Sequence, residues 1–196
     1  MAKDTRRRMV DAAVDALRQR GLAGMSFTDV LAGSGAARGA IYHHFPGGKR
    51  QLAAEAASRS GQDVLTHLKQ LPTTNPPAVV EAFLAGVRPV VEESTRGSGC
   101  AVAALTVHLD QDSDELRRVA AAAFASWVTQ LTDALTTAGM TPDDAADLAC
   151  LLINLLEGAH VLCRATSSLE PFDRAGRAAV ILAGITPPSA RSNTAT

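Results

Sequence analysis

Two clusters of helix-breaking residues, Gly33-Ser34-Gly35 and Pro46-Gly47-Gly48, leave only ten residues between them. Glycine disrupts a helix through its backbone freedom and proline through its missing N–H. Any helix over Ala37–Phe45 is therefore about two and a half turns long. The helix before it is equally short. It opens at Ser26-Phe27-Thr28-Asp29, a capping-box pattern in which Ser26 accepts a backbone N–H and Asp29 reaches back, and it stops at Gly33. Two short helices joined by a glycine-containing turn form a helix-turn-helix. A first helix, from Thr5 to Gln19 or Arg20, precedes them. Its Met9, Val10, Ala13, Val14 and Leu17 recur at three- and four-residue spacing, and Gly21 ends it.

The rest of the chain reads as helices throughout. Lys49 opens one that runs to about Leu71, where a proline-rich segment breaks it. Ala78–Ser94 follows, with a kink expected at Pro89. A short apolar helix is predicted over Cys100–Leu109 and a long one from Ser113 to Gly139. Thr141-Pro142-Asp143-Asp144 combines a cap, a first-turn proline and two acids at the positive end of the helix dipole. The helix it opens is apolar almost all round between Leu148 and Leu156, which implies burial on two sides. A last helix covers Phe172–Ile185. The expected fold is all-α, with about nine helices. Residues 1–48 form a three-helix helix-turn-helix domain, and residues 49–186 form a helical body. Residues 187–196 are a tail without apolar periodicity, expected to be disordered.

Charge is divided along the chain. Residues 1–60 hold ten Lys/Arg against five acids, whereas the remainder holds nine against fifteen. A basic head on an acidic body points to a polyanionic partner for the head. The longest stretch without a charged residue, Val119–Thr132, is 14 residues, shorter than a bilayer span. The Arg-rich N-terminus lacks the apolar core of a secretory signal. Cys100, Cys150 and Cys163 are odd in number, with no CxxC, so neither a disulfide framework nor a zinc module is indicated. A cytoplasmic protein without metal or cofactor is the expectation.

The chemistry concentrates in Arg38–Phe45. On a helix, Ile41 and Phe45 share the face that packs inward, leaving Arg38, Ala40, Tyr42, His43 and His44 on the others. Arg38 near the helix N-terminus could reach guanine O6 and N7 in a major groove, while Gly39 and Ala40 permit close backbone approach. Tyr42 and His43 could donate to phosphates. Lys49 adds its charge and the dipole of the next helix.

These residues also carry a resemblance. The elements are Thr5-Arg6, Arg8, Val10 and Ala12-Ala13, then Gly21-Leu22 and Ser26-Phe27-Thr28-Asp29-Val30. They continue through Gly35, Arg38-Gly39, Ile41-Tyr42, His44-Phe45, Lys49 and Leu52. Together they resemble the N-terminal domain of TetR-family transcriptional regulators. The turn Pro46-Gly47-Gly48-Lys49 is one residue longer than the family's usual one. With Gly99-Cys100-Ala101-Val102-Ala103-Ala104, it is similar to the LmrA/YxaF-like branch. The resemblance implies a homodimer with two DNA-reading heads on a ligand-binding body. It assigns Arg38, Gly39 and Ala40 to base reading, and Ser26, Thr28, Tyr42, His43, His44 and Lys49 to phosphate contacts. It further implies a repressor released from a palindromic operator in double-stranded DNA by a small apolar or aromatic effector. Ala37 and Ala40 stand where the family often carries Ser or Thr, so a cap and a hydroxyl contact are missing.

For the body, His67, Cys100, Phe124, Trp127 and Asn154 are the candidate effector lining, with a packed core as the alternative for each aromatic. Leu148, Leu151, Leu155 and Leu162, with Ala175, Ala178 and Ala179, are the candidate subunit seam, with simple core as the alternative for the leucines. His67, His108, His160, Cys100 and Cys163 lack the spacing of a metal-ligand set, and nothing marks a Cys-His nucleophile. No catalytic residue is assigned. The alternatives are a small-molecule-binding protein or enzyme built on the helical body, or a regulator that activates or acts without an effector.

Overall fold

The structure is a computed structural model, and it describes residues 2–107 and 113–185. Among the described residues it contains eight α-helices, one 3-10 turn and no strand. The all-α expectation holds. The helices are α1 (Ala2–Gly24), α2 (Phe27–Ser34), α3 (Arg38–His44), α4 (Gly48–Leu68), α5 (Pro76–Ser94), α6 (Asp114–Thr137), α7 (Pro142–Thr166) and α8 (Glu170–Gly184). The expected tail, 187–196, lies outside the described residues.

Local chemistry sets most of these bounds. Gly21 interrupts α1 with a positive, non-helical φ of 67°, as its sequence position predicts. Asn75 caps α5 by accepting the Ala78 N–H at 2.9 Å, moving its start to Pro76. That helix continues through Pro89 to Ser94. Thr141 caps α7 by accepting the Asp144 N–H at 3.3 Å and donates to the Asp144 carboxylate at 2.6 Å.

The predicted helix over Cys100–Leu109 is corrected to a 3-10 turn, Ala103–Leu105. Its register is held from outside: the Gly99 N–H donates to the Arg18 carbonyl at 2.8 Å. The Arg18 Nε donates back to the Gly99 carbonyl at 3.3 Å. A segment pinned to α1 by its backbone cannot wind freely into an α-helix.

α1, α2 and α3 enclose a small core of Met9, Leu17, Val30, Ile41 and Phe45, all buried. The α4 helix packs on α1 at one end and on α6 further along, so head and body share it. The close approach of α4 to α6 centres on Gly61. A Cβ there would sit 3.1 Å from the Ala123 Cβ. The Trp127 indole N–H donates to the Gly61 carbonyl at 2.9 Å. α6 then packs on α7, and α5, α7 and α8 close the far side.

Phe45 anchors the head, fully buried with the Arg6 guanidinium 5.1 Å above its ring. Phe45→Ala is expected to cost about 3–5 kcal/mol. Urea unfolding monitored by circular dichroism measures this, and a loss under about 1 kcal/mol contradicts the anchoring role.

Candidate nucleic-acid interface

The turn between α2 and α3 is built by hydrogen bonds that occupy several side chains the sequence singles out. Ser26 Oγ accepts the Asp29 N–H at 3.1 Å and donates to Asp29 Oδ2 at 2.7 Å. The Asp29 carboxylate thus reaches the Ser26 hydroxyl, and it also pairs with Arg20 at 2.5 Å. These partners, Ser26 first and then Arg20, hold its pKa below the usual carboxylate value. Gly35 closes α2 in a left-handed conformation (φ 64°), where glycine carries no Cβ penalty. Arg8 donates to the Ser34 carbonyl at 2.9 Å and fastens this turn to α1.

α3 begins without a side-chain cap at Ala37, as the alanine requires. Ile41 and Phe45 point inward with no exposed surface, and the opposite side turns to solvent. There Arg38, Gly39, Tyr42 and His43 are exposed, while Ala40 and His44 are half-buried. Arg38 makes no ion pair among the described residues, so its guanidinium fork is available. A Cβ at Gly39 would meet nothing within 4 Å, so this stretch of backbone is open to a close-lying partner. Tyr42 is held edge-on against Phe27, with ring centroids 5.7 Å apart, and its phenol is directed by that contact. The His43 and His44 rings lie 5.2 Å apart. Thr28 is exposed on the first turn of α2.

Lys49 sits in the first turn of α4, where its Nζ donates to the Ala23 carbonyl at 3.1 Å. The extra glycine of the preceding turn has a physical cause: Gly48 adopts φ 71°, which a side chain would strain. The Arg6-Arg7-Arg8 run is largely engaged within the protein. Arg6 pairs with Glu55, Arg7 with Asp4 at 2.9 Å, and Arg8 with Asp4 at 3.5 Å.

The five candidate effector residues do not line one cavity. Trp127 is buried core, with its N–H spent on Gly61, and Phe124 packs edge-on against it at 5.2 Å. His67 is exposed and lies over Gly86. Asn154 is exposed, and its amide donates to the Cys150 carbonyl at 2.9 Å within its own helix. The sequence places Asn154 in an apolar run, but the run faces two ways and Asn154 lies on the outer side. Cys100 borders a cavity between α1, the 3-10 turn and α7.

The candidate seam residues divide between core and surface. Leu148 and Ala179 are buried within the single chain. Leu151, Leu162, Ala175 and Ala178 are exposed, and Leu155 is half-buried. Ile181 and Leu182, passed over in the sequence, extend this outward apolar surface at 65% and 45% exposure. Gly158 follows Leu151 along the same side of α7, and a Cβ there would meet nothing within 4 Å. α7 is long and apolar enough to cross a membrane by length and composition, and 44% of its most apolar window is buried. Among the described residues no cluster of His, Cys, Asp or Glu could hold a metal ion. His108 lies outside them.

A cavity of about 590 Å³ lies where α1 meets the 3-10 turn and α7. Its wall includes Arg18, Cys100, Glu157, His160 and Arg164. Burial raises the Glu157 carboxyl to about 7, against a smaller opposing effect of the Cys100 thiol, and its Oε1 has no hydrogen-bond partner. Burial, then the Arg18 and Arg164 charges, lower His160 to about 4, and its Nδ1 lies 2.6 Å from Ser94 Oγ. Burial and the neighbouring Glu157 push the Cys100 thiol up, so it stays protonated. Sequence reasoning missed Glu157. It is the only acid between Asp147 and Glu170, and it directly follows the apolar run.

Residues 9–56 match the family described as bacterial regulatory proteins, tetR family. Residues 76–178 match the C-terminal domain of the LmrA/YxaF-like transcriptional regulators. An uncharacterized HTH-type transcriptional regulator of Mycobacterium tuberculosis is 34% identical over 173 residues, covering 86% of this chain and 88% of the relative. The HTH-type transcriptional regulator LmrA of Bacillus subtilis is 25% identical over 171 residues, covering 86% of this chain and 91% of the relative. A crystal structure of a TetR transcriptional regulator from Chloroflexus aurantiacus superposes with a TM-score of 0.77 at 26% identity. That match covers 92% of this chain and 94% of the other.

The Glu157 environment predicts a pH signature. Its pKa rises from 4.5 to about 7 on folding, so the folded state holds the proton more tightly. Its contribution to stability is full below about pH 4.5 and is lost as pH rises through 7. His160, lowered to about 4, acts in the opposite sense between about 4 and 6.5, but equally in both proteins compared. The stability of Glu157→Gln relative to wild type is therefore expected to rise by about 2–3 kcal/mol between about pH 5 and pH 8. Urea titrations at the two pH values measure this, and a pH-independent difference contradicts it.

Proposed function

The chain belongs to the TetR family of bacterial regulatory proteins, in its LmrA/YxaF-like branch, and on that premise we propose that it is a DNA-binding transcriptional regulator acting as an effector-released repressor. Its relatives are transcriptional regulators rather than enzymes.

The observation that carries the DNA reading is the solvent face of α3. Arg38, exposed and unpaired among the described residues, stands beside the open Gly39 backbone, with Tyr42 and His43 further along the helix. Arg38 reads a guanine edge, Gly39 and Ala40 allow the helix to seat deeply, and Tyr42, His43, His44, Thr28 and Lys49 contact phosphates. Ser26 acts by holding α2 in place, because both its donor and its acceptor are committed to Asp29.

The head, residues 1–48, is carried by a body of residues 49–186 that pairs with a second copy. The outward surface of α7 and α8, with Leu151, Leu155, Leu162, Ala175, Ala178 and Ile181, forms the subunit seam. A dimer sets two α3 helices into successive major grooves of a palindromic operator, about one helical turn or slightly more apart. An effector releases the operator if it binds the low-affinity arrangement of the heads more tightly. The protein works in the cytoplasm.

Fluorescence anisotropy on a duplex from its own upstream intergenic region, against a scrambled duplex over a salt series, tests the reading. Nanomolar, competitor-resistant binding is expected, and equal micromolar binding to both duplexes contradicts it. Arg38→Ala is expected to cost about 1–3 kcal/mol on the operator and little on the scrambled duplex. Lys49→Ala is expected to weaken both and to flatten the salt slope by about one. Leu162→Asp buries a charge in the seam and is expected to shift the dimer to monomer in analytical ultracentrifugation. An unchanged dimer in that variant places the seam elsewhere.

A further inference from the structure

The cavity between α1, the 3-10 turn and α7 differs in kind from a packing defect. Much of its wall is small and apolar, including Leu17, Ala103, Ala104 and Val161. Glu157 also borders it: its carboxyl accepts a hydrogen bond from the Cys100 thiol, while its Oε1, closed off from solvent, has no partner. A buried carboxyl with only one of its oxygens bonded still costs stability unless a further donor reaches it. Charge of the opposite sign lines the same cavity. Arg164 makes no ion pair or side-chain hydrogen bond among the described residues, and Arg18 spends one nitrogen on the Gly99 carbonyl with no acidic partner. Both guanidiniums bear on His160, and Arg164 lies so close to Gly99 that a Cβ there would sit 2.7 Å from it. Neither arginine is paired with Glu157, although all three border one space. The cavity therefore offers an acceptor and two donors of fixed positive charge, separated by apolar wall. Its volume of about 590 Å³ is that of a site for a molecule of two or three rings.

We propose that this cavity binds a small apolar acid that also carries a hydroxyl or amine donor, and that its occupancy alters the seating of the DNA-reading head. The anion meets Arg164 and Arg18, and the donor meets the Glu157 carboxyl. Arg18 belongs to α1, the first helix of the head, and its backbone and side chain are both bonded to Gly99 of the body. A ligand that draws the Arg18 guanidinium toward its own anion competes with the Gly99 carbonyl for the same donor. This releases one of the ties between head and body. The proposal deepens the regulator reading and rests on it for its second half only.

The probes are two fluorescent dyes. 8-Anilinonaphthalene-1-sulfonate has apolar rings, an N–H donor and a sulfonate, and N-phenyl-1-naphthylamine has the same rings and N–H without the anion. Each is titrated into the purified full chain without DNA. The sulfonate dye is expected to bind one per chain. Arg164→Met, at an exposed position, is expected to weaken it about tenfold and leave the uncharged dye within about twofold. Glu157→Leu is expected to weaken both dyes at least about fivefold without lowering the melting temperature at about pH 8. Unchanged sulfonate-dye affinity in Arg164→Met means that the dye sits elsewhere, such as on the α7–α8 surface, and overturns the proposal. A lower melting temperature for Glu157→Leu also overturns it, because the hydrogen bond from the Cys100 thiol then accounts for the buried carboxyl. Saturating sulfonate dye is expected to weaken operator binding at least about threefold in wild type but not in Arg164→Met. Equal operator affinity with and without dye overturns the coupling. A chain that binds the dye as described but no operator overturns the regulator reading and leaves the ligand site standing.

Discussion

The close contact of α4 with α6 is the constraint on which the rest of the arrangement depends. α4 is a long helix that packs against α1 of the head and against α6 of the body, so it mounts one on the other. Gly61 permits the approach, since a Cβ there would press on Ala123 at 3.1 Å. Trp127 then fixes the register by donating its indole N–H to the Gly61 carbonyl, with the ring fully buried. A tryptophan that packs and bonds at one point pins both translation and rotation of its neighbour. The head is therefore mounted on the body through a rigid contact, and a shift of α4 along α6 moves the recognition helix with it.

A second connection crosses between head and body at Arg18 and Gly99, and its character is different. It consists of two polar bonds, one backbone and one side chain, beside a cavity rather than within packed apolar surface. Packed apolar contacts resist small displacements because interiors are dense. Polar bonds at a cavity wall can exchange partners with a ligand at little cost in packing. The molecule thus combines a stiff mount on one side of the head with an exchangeable tie on the other. Such an asymmetry turns a local binding event into a tilt of the head.

Local signals in the sequence are legible where a residue's own chemistry dictates its conformation. Ser26 and Thr141 cap the helices their spacing marks, Gly21 breaks α1, and Ile41 with Phe45 buries the expected face of α3. Assignments that depend on which helix meets which are not. Helical periodicity identifies Leu148 and Leu151 as apolar residues of one run, but not that Leu148 faces the core of its own chain while Leu151 faces outward. The places of Trp127, in the α4–α6 contact, and of Asn154, on the outer surface of α7, are hidden from periodicity for the same reason. The Cys100 segment is apolar enough for a helix, yet its shape is imposed at Gly99 by Arg18, 81 residues away in the chain. The bonds of Arg6 and Arg8 to Glu55 and to the Ser34 carbonyl are not legible in the arginine run, because those partners are remote in sequence.

The physical demand on α7 explains why apolar and ionisable residues alternate in significance along it. One side must fill the core through Leu152, Ile153 and Leu156, and the other carries Leu151, Leu155 and Leu162 outward beside the apolar surface of α8. A helix apolar on both sides suits a bilayer or a two-sided protein environment, and the buried share of α7 with the matching stripe on α8 favours the latter. Glu157 would be costly in either apolar setting. It lies instead on a third side, where α7 borders the cavity next to α1. The same helix therefore serves the core, the outward apolar surface and the boundary with the head. A buried carboxyl bonded only to a thiol on the side facing the head is a cost that packing alone gives no reason to bear, whereas a donor-bearing ligand in the cavity does.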